Sequence, residues 1–367
     1  MSVPSKFTGF TLSSPENWDK PKVQQYEAKP EKSHDVTIKI QVCSVCGTDH
    51  HIGSGGWGPY GRDDLVVGHE IVGTVVKVGA EVKEFAVGDV VGVGAQSNSC
   101  GECDLCLNDN EQYCEKSVLT YNQADMFSDG YVTQGGFANY TRVTEKHVFR
   151  VPDGMSAEVA APFFCGGITV FSPLVRNLTP YSKQKVGIIG IGGLGHFALQ
   201  FANKFGWEVV AFSRSSKKQQ EAAELGAHHF VATGEDSDWV SKHSNSFDLI
   251  INCATSFSAI DLNQFIDVVK PGCKLIGVGL PDFHENITVN ALKLGMSGKF
   301  MGGSIIGNKK EVKQMLDFAV KNDIKPWTEV FSINEDNYKK ALTKISKSDA
   351  HYRVVLTDFD EFFNKLA

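Results

Sequence analysis

The sequence has no long apolar run and no excess of basic residues, and both absences narrow the classes of partner. In 367 residues, no apolar run reaches the ~18 residues of a membrane-spanning helix. Lys and Arg number 36 against 43 Asp and Glu, a net charge of −7 that disfavours binding to nucleic-acid phosphates. The N-terminus lacks a basic segment followed by an apolar stretch, and the C-terminus is not a peroxisomal tripeptide. We therefore expect a cytoplasmic protein that binds neither nucleic acid nor membrane.

The nine cysteines do not indicate a disulfide framework, because their number is odd and no secretion signal is present. Four of them fall in a C-x2-C-x2-C-x7-C pattern, which is enough to close a tetrahedral zinc site that leaves no open position. An iron–sulfur cluster is one alternative, but the ferredoxin pattern continues with three residues and Cys-Pro, which are absent. Unligated cysteines are the other alternative. The pattern predicts a structural zinc on Cys100, Cys103, Cys106 and Cys114.

The middle third of the chain alternates short apolar runs with helical patterns. Such alternation indicates a doubly wound α/β domain with a parallel sheet, over residues 156–297. The predicted strands are residues 185–189, 208–212, 230–232, 248–252 and 274–278, and the predicted helices are 194–205, 217–225 and 259–269.

The flanking segments have a different pattern. Residues 1–155 contain short β-rich runs broken by Gly and Asp turns, which predicts a mostly antiparallel, barrel-like unit. Residues 298–367 contain two helical patterns, at 311–320 and 338–345, and a final strand at 352–356. We expect this C-terminal segment to return and pack on the first unit.

A glycine motif, GIGGLG, directly follows the first strand of the α/β domain and opens a helix. Glycines at these places let the turn close, let the backbone approach a pyrophosphate and let the helix pack on the strand. An ordinary Gly-rich turn is the alternative, but the position at the start of the α/β series favours dinucleotide binding. The predicted cofactor residues here are Gly190, Ile191, Gly192, Gly193, Leu194 and Gly195.

The second strand of the domain ends in the sequence SRSSKK at residues 213–218. An NAD enzyme usually has Asp or Glu there, whereas hydroxyls and cations accept the 2′-phosphate of NADP. Ser213, Arg214 and Lys218 therefore predict NADP(H). The alternative is that Arg214, Lys217 and Lys218 form only the solvated start of a helix.

A second group of metal-type residues comprises CGTDHH at 46–51, GHE at 68–70 and the distant Cys165. One His and two Cys make a three-ligand zinc site with an open fourth position. Spacing alone does not separate this set from isolated core or surface residues. His50 is expected at the surface, and three other cysteines are expected as small buried hydrophobes: Cys43, Cys253 and Cys273.

The segment GHEIVGTVVKVG at 68–79 resembles the signature of the zinc-containing medium-chain alcohol dehydrogenases. CGTD at 46–49, the Cys quartet and the glycine motif occur in that family's order, over nearly the whole chain. Within the family, the chain most resembles the cinnamyl alcohol dehydrogenase branch, especially its fungal NADP-dependent members with a broad substrate range. Three segments carry this closer similarity: GGFANY (135–140), CGGITVFSPL (165–174) and SRSSKK (213–218). The resemblance implies a Rossmann domain, a GroES-like catalytic domain and a homodimer formed through the edge of the cofactor sheet.

The resemblance also implies roles for the second group. Cys46, His69 and Cys165 would bind a catalytic zinc, with Glu70 as an alternate fourth ligand, and zinc would act as a Lewis acid. Asp49 would orient His69.

Further roles are implied for the proton path and the cofactor. Thr48 would pass a proton through the cofactor ribose to His51. Cofactor contacts are expected from Thr169, Gly279 and Ser304, and Arg353 matches a position that reaches the pyrophosphate in some relatives.

The substrate expectation rests on Leu119 and Trp57. Plant enzymes specialised for monolignols tend to have Trp where this chain has Leu119, while Trp57 is retained. We expect small-molecule substrates, namely aromatic and medium-chain aldehydes, reduced more readily than the alcohols are oxidised. The alternatives are an NAD-linked alcohol or polyol dehydrogenase of the same superfamily and a non-catalytic NADP(H)-binding regulator.

Overall fold

The structure is a computed structural model that describes residues 3–177, 184–255, 260–281 and 284–366. Internal contacts divide the chain into two compact units. The first comprises Met1–Cys165 and Gly307–Ala367, and the second comprises Gly166–Ile306.

The strands in chain order are β1 Lys6–Thr11, β2 Lys22–Glu27, β3 Asp35–Val45, β4 Glu70–Val78, β5 Val90–Val93, β6 Gln96–Asn98, β7 Val118–Leu119, β8 Ala124–Asp125, β9 Tyr131–Val132, β10 Tyr140–Thr144, β11 Val148–Arg150, β12 Lys185–Ile189, β13 Glu208–Ser213, β14 His229–Ala232, β15 Phe247–Asn252, β16 Val269–Gly277, β17 Phe300–Gly303, β18 Thr328–Ser332 and β19 Arg353–Thr357.

The α-helices are α1 Gly47–Gly53, α2 Asp104–Leu107, α3 Ala157–Ala160, α4 Gly166–Arg176, α5 Gly195–Lys204, α6 Gln219–Glu224, α7 Trp239–Lys242, α8 Leu262–Val268, α9 Ala291–Ser297, α10 Lys309–Lys321, α11 Glu335–Ser346 and α12 Phe359–Asn364. Short 3₁₀ helices cover Pro15–Asn17, Glu111–Tyr113, Glu145–His147, Ala161–Phe164 and Ser216–Lys218.

The first unit is built on a seven-stranded sheet in the order β11-β5-β4-β3-β19-β18, with β10 also paired to β3. All of its pairs are antiparallel except β18 with β19, which confirms the prediction of a mostly antiparallel unit. The C-terminal segment does return to this unit, because β19 pairs with β3 at the centre of the sheet. Aromatic rings fill the core beside it, with the Phe10 and Tyr338 rings stacked at 5.5 Å.

The second unit is a six-stranded parallel sheet in the order β14-β13-β12-β15-β16-β17. This topology confirms the predicted α/β fold. Its elements differ in detail from the prediction: β16 begins five residues earlier than expected, and α8 begins at Leu262. The expected start of that helix, Ala259, lies outside the described residues.

The units divide at 165/166 and 306/307, whereas the sequence pattern predicts boundaries at 155/156 and 297/298. Phe164 explains the first difference. Its ring packs so closely against Gly92 of the first unit that a Cβ on Gly92 would lie 2.0 Å from it. This contact attaches residues 157–165 to the first unit. The strand β17 explains the second. Its sequence, FMGG, lacks an apolar run, yet it pairs along β16 as the sixth strand.

Within the described part of the chain, no single helix has the length and apolar composition of a membrane span. The consecutive helical segments Ala157–Phe164 and Gly166–Arg176 reach that length and composition only when taken together.

Candidate active site

Four metal-type side chains from three separate segments meet in the first unit. Cys46 follows β3 and caps α1, His69 and Glu70 stand at the start of β4, and Cys165 follows the 3₁₀ helix Ala161–Phe164. One donor atom of each side chain lies within 4.8 Å of the donor atoms of the others. The Sγ atoms of Cys46 and Cys165 are 3.8 Å apart, although the two residues are separated by 119 positions. The antiparallel pairing of β3 with β4, which sets Ser44 opposite Glu70, brings the first three together.

The donor set of this cluster fits a zinc ion. His69 Nε2 is buried and has no hydrogen-bond partner among the described residues, so a lone pair is left facing the thiols. Two thiolates bound tetrahedrally at a Zn–S distance of about 2.3 Å would lie about 3.8 Å apart, the separation that Cys46 and Cys165 show. The hydrogen bond from Cys165 holds the pKa of Cys46 well below its usual value, although burial acts in the opposite direction. A thiolate beside a neutral nitrogen donor is what a divalent cation requires.

Asp49 fixes the orientation of His69. Its Oδ1 lies 2.9 Å from His69 Nδ1 and accepts from Gly68 N at 3.1 Å, while its Oδ2 accepts from Cys46 N at 2.8 Å. Because an ionised carboxylate only accepts, His69 Nδ1 carries the proton and Nε2 is free to bind a metal. The structure therefore places Asp49 where the resemblance expects it.

Tyr121 is a further partner of Asp49, and no feature of the sequence predicts this contact. Its hydroxyl donates to Asp49 Oδ1 at 2.7 Å, and its ring is 2% exposed. Burial, and then the negative charge of Asp49, holds the pKa of Tyr121 well above its usual value, so the phenol keeps the proton that it donates. No sequence signal marks this residue, since it is an isolated Tyr 72 positions from Asp49.

Glu70 is engaged through both carboxylate oxygens. Oε1 forms an ion pair with Arg353 Nη2, and Oε2 accepts from Ser44 Oγ. Burial raises the pKa of Glu70, and the charge of Arg353 opposes that rise. Arg353 is the first residue of β19 and is 3% exposed. The proposed contact of Arg353 with a pyrophosphate stays a prediction, and its partner in this structure is Glu70.

The Cys quartet forms a second cluster in the same unit. Cys103 caps the short helix α2, and Cys114 follows the 3₁₀ helix Glu111–Tyr113. Sγ separations are 3.8 Å between Cys100 and Cys106, 3.8 Å between Cys103 and Cys114, and 3.6 Å between Cys100 and Cys114. These values match the ~3.8 Å edge of a tetrahedral zinc site with four thiolates. Backbone N–H groups of residues 102 and 103 lower the pKa of Cys100 to about 6.

The glycine motif of the second unit forms a tight turn between β12 and α5. Gly190 has a positive φ of +85°, and a Cβ on Gly195 would lie 1.9 Å from Gly190 O. A Cβ on Gly192 would meet nothing within 4 Å, so the backbone there is open to a ligand. This open turn, placed where a helix begins at the carboxyl end of a parallel strand, fits the pyrophosphate of a dinucleotide.

The residues predicted to select the cofactor lie at the end of β13. Ser213 is the last residue of that strand, and the exposed Arg214 side chain has no partner among the described residues. Lys218 is half-buried, and its Nζ donates to Ile191 O of the glycine turn at 2.7 Å. Burial lowers the pKa of Lys218. Lys218 therefore fastens this segment to the turn, and its contact with a cofactor stays a prediction.

The other expected site residues divide between the units. In the first unit, Thr48 Oγ1 lies 3.8 Å from Cys46 Sγ, and the half-buried His51 ring stacks on Trp57 at 5.1 Å. In the second unit, Ser304 N donates to Gly277 O at 3.0 Å. Gly279 follows β16, where a Cβ would lie 2.1 Å from Ala254 O. Thr169 is buried on α4.

The residues expected to have no metal lie outside both clusters. Cys43, Cys253 and Cys273 are buried, as predicted. His50 is half-buried and packs edge-on against Trp18 at 4.8 Å between ring centroids. Leu119 is 42% exposed.

Comparison with known proteins identifies the family of this chain. The model of the alcohol dehydrogenase GroES-like domain matches residues 32–153, and the zinc-binding dehydrogenase model matches residues 193–321. NADP-dependent alcohol dehydrogenase 6 of Saccharomyces cerevisiae is 43% identical over 99% of this chain and 100% of its own length. The chain belongs to the zinc-containing medium-chain alcohol dehydrogenases.

Within that family, the enzyme lies in the cinnamyl alcohol dehydrogenase (CAD) branch. Cinnamyl alcohol dehydrogenase 2 of Arabidopsis thaliana is 39% identical over 88% of this chain and 84% of its own length. A cinnamyl alcohol dehydrogenase structure from Sorghum bicolor has a TM-score of 0.88 at 32% identity, covering 96% of this chain and 97% of that one. The CAD of Helicobacter pylori complexed with NADP(H) has a TM-score of 0.87 at 30% identity, covering 97% and 99%.

Proposed function

We propose that this enzyme is an NADP(H)-dependent alcohol dehydrogenase that interconverts primary alcohols and aldehydes of the aromatic and medium-chain aliphatic classes. The observation that carries the cofactor assignment is the end of β13, where Ser213 and the exposed Arg214 stand and residues 213–218 contain no carboxylate. A carboxylate there would repel a 2′-phosphate, whereas a guanidinium pairs with it. The NADP dependence named for the yeast relative and the NADP(H) bound to the Helicobacter pylori CAD support the same assignment.

The chain's own residues would prepare the reaction in the first unit. When bound, zinc polarises the carbonyl oxygen and the reduced nicotinamide supplies the hydride. Cys46, His69 and Cys165 would hold the metal, with His69 kept in the right tautomer by Asp49. Thr48 Oγ1, close to Cys46 Sγ, would give a proton to the product oxygen, and His51 on the same helix would exchange protons with water.

The cofactor assignment is tested by kinetics with both nicotinamide cofactors. We expect a much lower KM for NADPH than for NADH. The variant Arg214→Asp should reduce kcat/KM for NADPH at least about tenfold, and kcat/KM for NADH should change little. Lys217→Ala, a change of an exposed cation in the same segment, serves as the control. Equal KM values for the two cofactors, or a preference for NADH, would contradict the assignment.

The metal assignment is tested by elemental analysis. Two zinc ions per chain are expected, one on Cys46, His69 and Cys165 and one on the quartet. One zinc per chain would favour the non-catalytic alternative, in which only the quartet is filled.

The substrate range and direction are tested by a screen of NADPH oxidation over aliphatic, cinnamyl and furan aldehydes. Leu119, in place of a bulky Trp, supports a broad range. We expect aldehyde reduction to have the higher kcat/KM, and a higher value for alcohol oxidation would contradict this direction.

We further propose that the enzyme is a homodimer that joins at the edge of the parallel sheet. The edge strand β17 and the preceding helix α9 carry exposed apolar side chains: Leu292 is 70%, Met296 82% and Phe300 58% exposed. Apolar surface on an unpaired sheet edge suits association with a second copy. Light scattering should give twice the chain mass, and Met296→Asp should shift it towards the monomer.

A cytoplasmic location is also proposed. Two clusters of cysteines close enough to oxidise, together with proposed NADPH use, suit a reducing compartment. Fractionation of the source cells is the test, and recovery with a membrane or organelle fraction would contradict the proposal.

A further inference from the structure

We propose that Tyr121 is a further positioning residue of the catalytic metal site, and that it acts through Asp49. The inference rests on the proposed function, because it takes Cys46, His69 and Cys165 as the zinc ligands. Tyr121 touches none of these donor atoms through its hydroxyl, which donates to Asp49 Oδ1 at 2.7 Å. Its effect on the metal must therefore pass through that carboxylate.

Asp49 ties together two of the three segments that carry ligands. Its carboxylate accepts hydrogen bonds from the backbone N–H of Cys46, which follows β3, and from that of Gly68, the residue before His69. One carboxylate oxygen also lies 2.9 Å from His69 Nδ1. The carboxylate is 0% exposed, so water does not compete for these bonds. A small rotation of Asp49 would move the His69 ring and release the Cys46 backbone together.

Tyr121 is the one side-chain donor to Asp49 among the described residues that belongs to neither ligand segment. The loop that carries it is itself fixed on both sides: Thr120 N donates to Ala95 O at 2.9 Å, and Asn122 N donates to Thr133 O at 3.0 Å. The hydroxyl is thus held in place by a separate part of the unit. It restrains the rotation of Asp49 from a segment that carries no zinc ligand.

The ring of Tyr121 also packs near the imidazole of His69, with centroids 5.7 Å apart. Packing alone could account for a buried aromatic residue here, so the test must remove the hydroxyl and keep the ring. Tyr121→Phe does this. Tyr338→Phe is the matched control, because Tyr338 is also fully buried in the first unit and its hydroxyl has no partner among the described residues.

The experiment follows zinc release from the holoenzyme into a chelating dye, with the quartet zinc as an internal reference. We expect Tyr121→Phe to release one of the two zinc ions about 10-fold faster than the wild type and the other at the wild-type rate. Loss of a group that orients a metal ligand directly typically changes metal affinity about 10- to 100-fold, and Tyr121 acts one contact further out. We expect kcat for aldehyde reduction to fall with little change in the KM for NADPH. Tyr338→Phe should release both ions at wild-type rates.

The outcomes separate this inference from the proposed function. Two zinc ions in the wild type with unchanged release in Tyr121→Phe would overturn the inference alone. Equal acceleration for both ions would also overturn it, because a loss of general stability acts on both sites. A wild-type protein with one zinc per chain would overturn the proposed function and this inference with it.

Discussion

The two cysteine clusters of the first unit are built in different ways. The quartet takes its four thiols from residues 100–114, on two short helical turns and the loops around them, and three of its four cysteines are partly exposed. The other cluster takes Cys46, His69 and Cys165 from three segments, and all three are buried. The first is a local structure, whereas the second exists only when the sheet has formed.

The surroundings of the two clusters differ in the same way. The quartet accepts hydrogen bonds from nearby backbone N–H groups; for example, Cys103 N donates to Cys100 Sγ at 3.4 Å. The buried cluster depends on Asp49, Tyr121 and, through Glu70, on Arg353 of the last strand. A local all-thiolate site suits a structural ion, whereas a site supported from several strands can hold three ligands rigidly and leave a position for substrate.

The largest expected effect comes from removing one thiol from each cluster. Cys46→Ser should reduce aldehyde reduction about a thousandfold or more, because the metal's contribution to the reacting oxygen is lost. NADPH binding should persist, since the glycine turn belongs to the other unit. The measurements are steady-state kinetics and NADPH fluorescence titration.

Cys106→Ser is the matched control for this prediction. It should lose the quartet zinc and lower the melting temperature, yet keep most of its turnover at low temperature. Retained turnover in Cys46→Ser, or equal loss in both variants, would contradict the division of roles between the clusters.

A smaller effect is expected at the ion pair behind the buried cluster. Arg353→Met leaves Glu70 buried without its charge partner and should lower the free energy of unfolding by about 3–5 kcal/mol. The double variant Arg353→Met with Glu70→Gln should lose less than the sum of the single variants, because it leaves no unpaired charge. Denaturant unfolding of all four proteins measures the coupling, and additive losses would contradict it.

The smallest effect, when it is measured over a single pH unit, concerns His147, which lies beside the quartet. His147 Nε2 is 3.1 Å from Oγ of Ser99, the residue before Cys100, and burial, with a lesser effect of Lys309 and Lys146, lowers its pKa to about 3. Between pH 6.5 and 3 the unfolded chain therefore binds a proton at His147 that the folded chain does not. The contribution of His147 to the free energy of unfolding is therefore fully present above pH 6.5 and falls as the pH drops towards 3, by at most about 1.4 kcal/mol per pH unit.

His147→Gln should therefore show a shallower loss of stability over that pH range. Denaturant unfolding at several pH values measures the slope. Equal slopes for the variant and the wild type would show that His147 contributes nothing to acid sensitivity.

The strands of the second unit differ in how well the sequence predicts them. The parallel strands β12, β13 and β15 are five or six residues long, and each contains a short apolar run from which the sequence predicts its ends to within one residue. The strand β17 was missed, because Gly302 and Gly303 remove the apolar signal while backbone pairing with β16 still forms. The sequence predicts Lys218 as a cofactor residue but does not predict its hydrogen bond to Ile191 O. That bond depends on the distance between the segment after β13 and the glycine turn, which only the tertiary structure sets.

The sequence by itself determined the features that depend on short spacing. The quartet's thiols lie within one local segment, and the glycine motif needs only its own turn, so both follow from a few consecutive residues. The tertiary structure decided the rest. Cys165 meets Cys46, Tyr121 meets Asp49 and Arg353 meets Glu70 across 119, 72 and 283 positions, because strand pairing and loop anchoring in the first unit bring distant segments together. Contacts at such separations produce no periodic pattern in a single sequence. Many different surrounding residues would allow the same strand pairing, so the sequence alone does not indicate which distant residues meet.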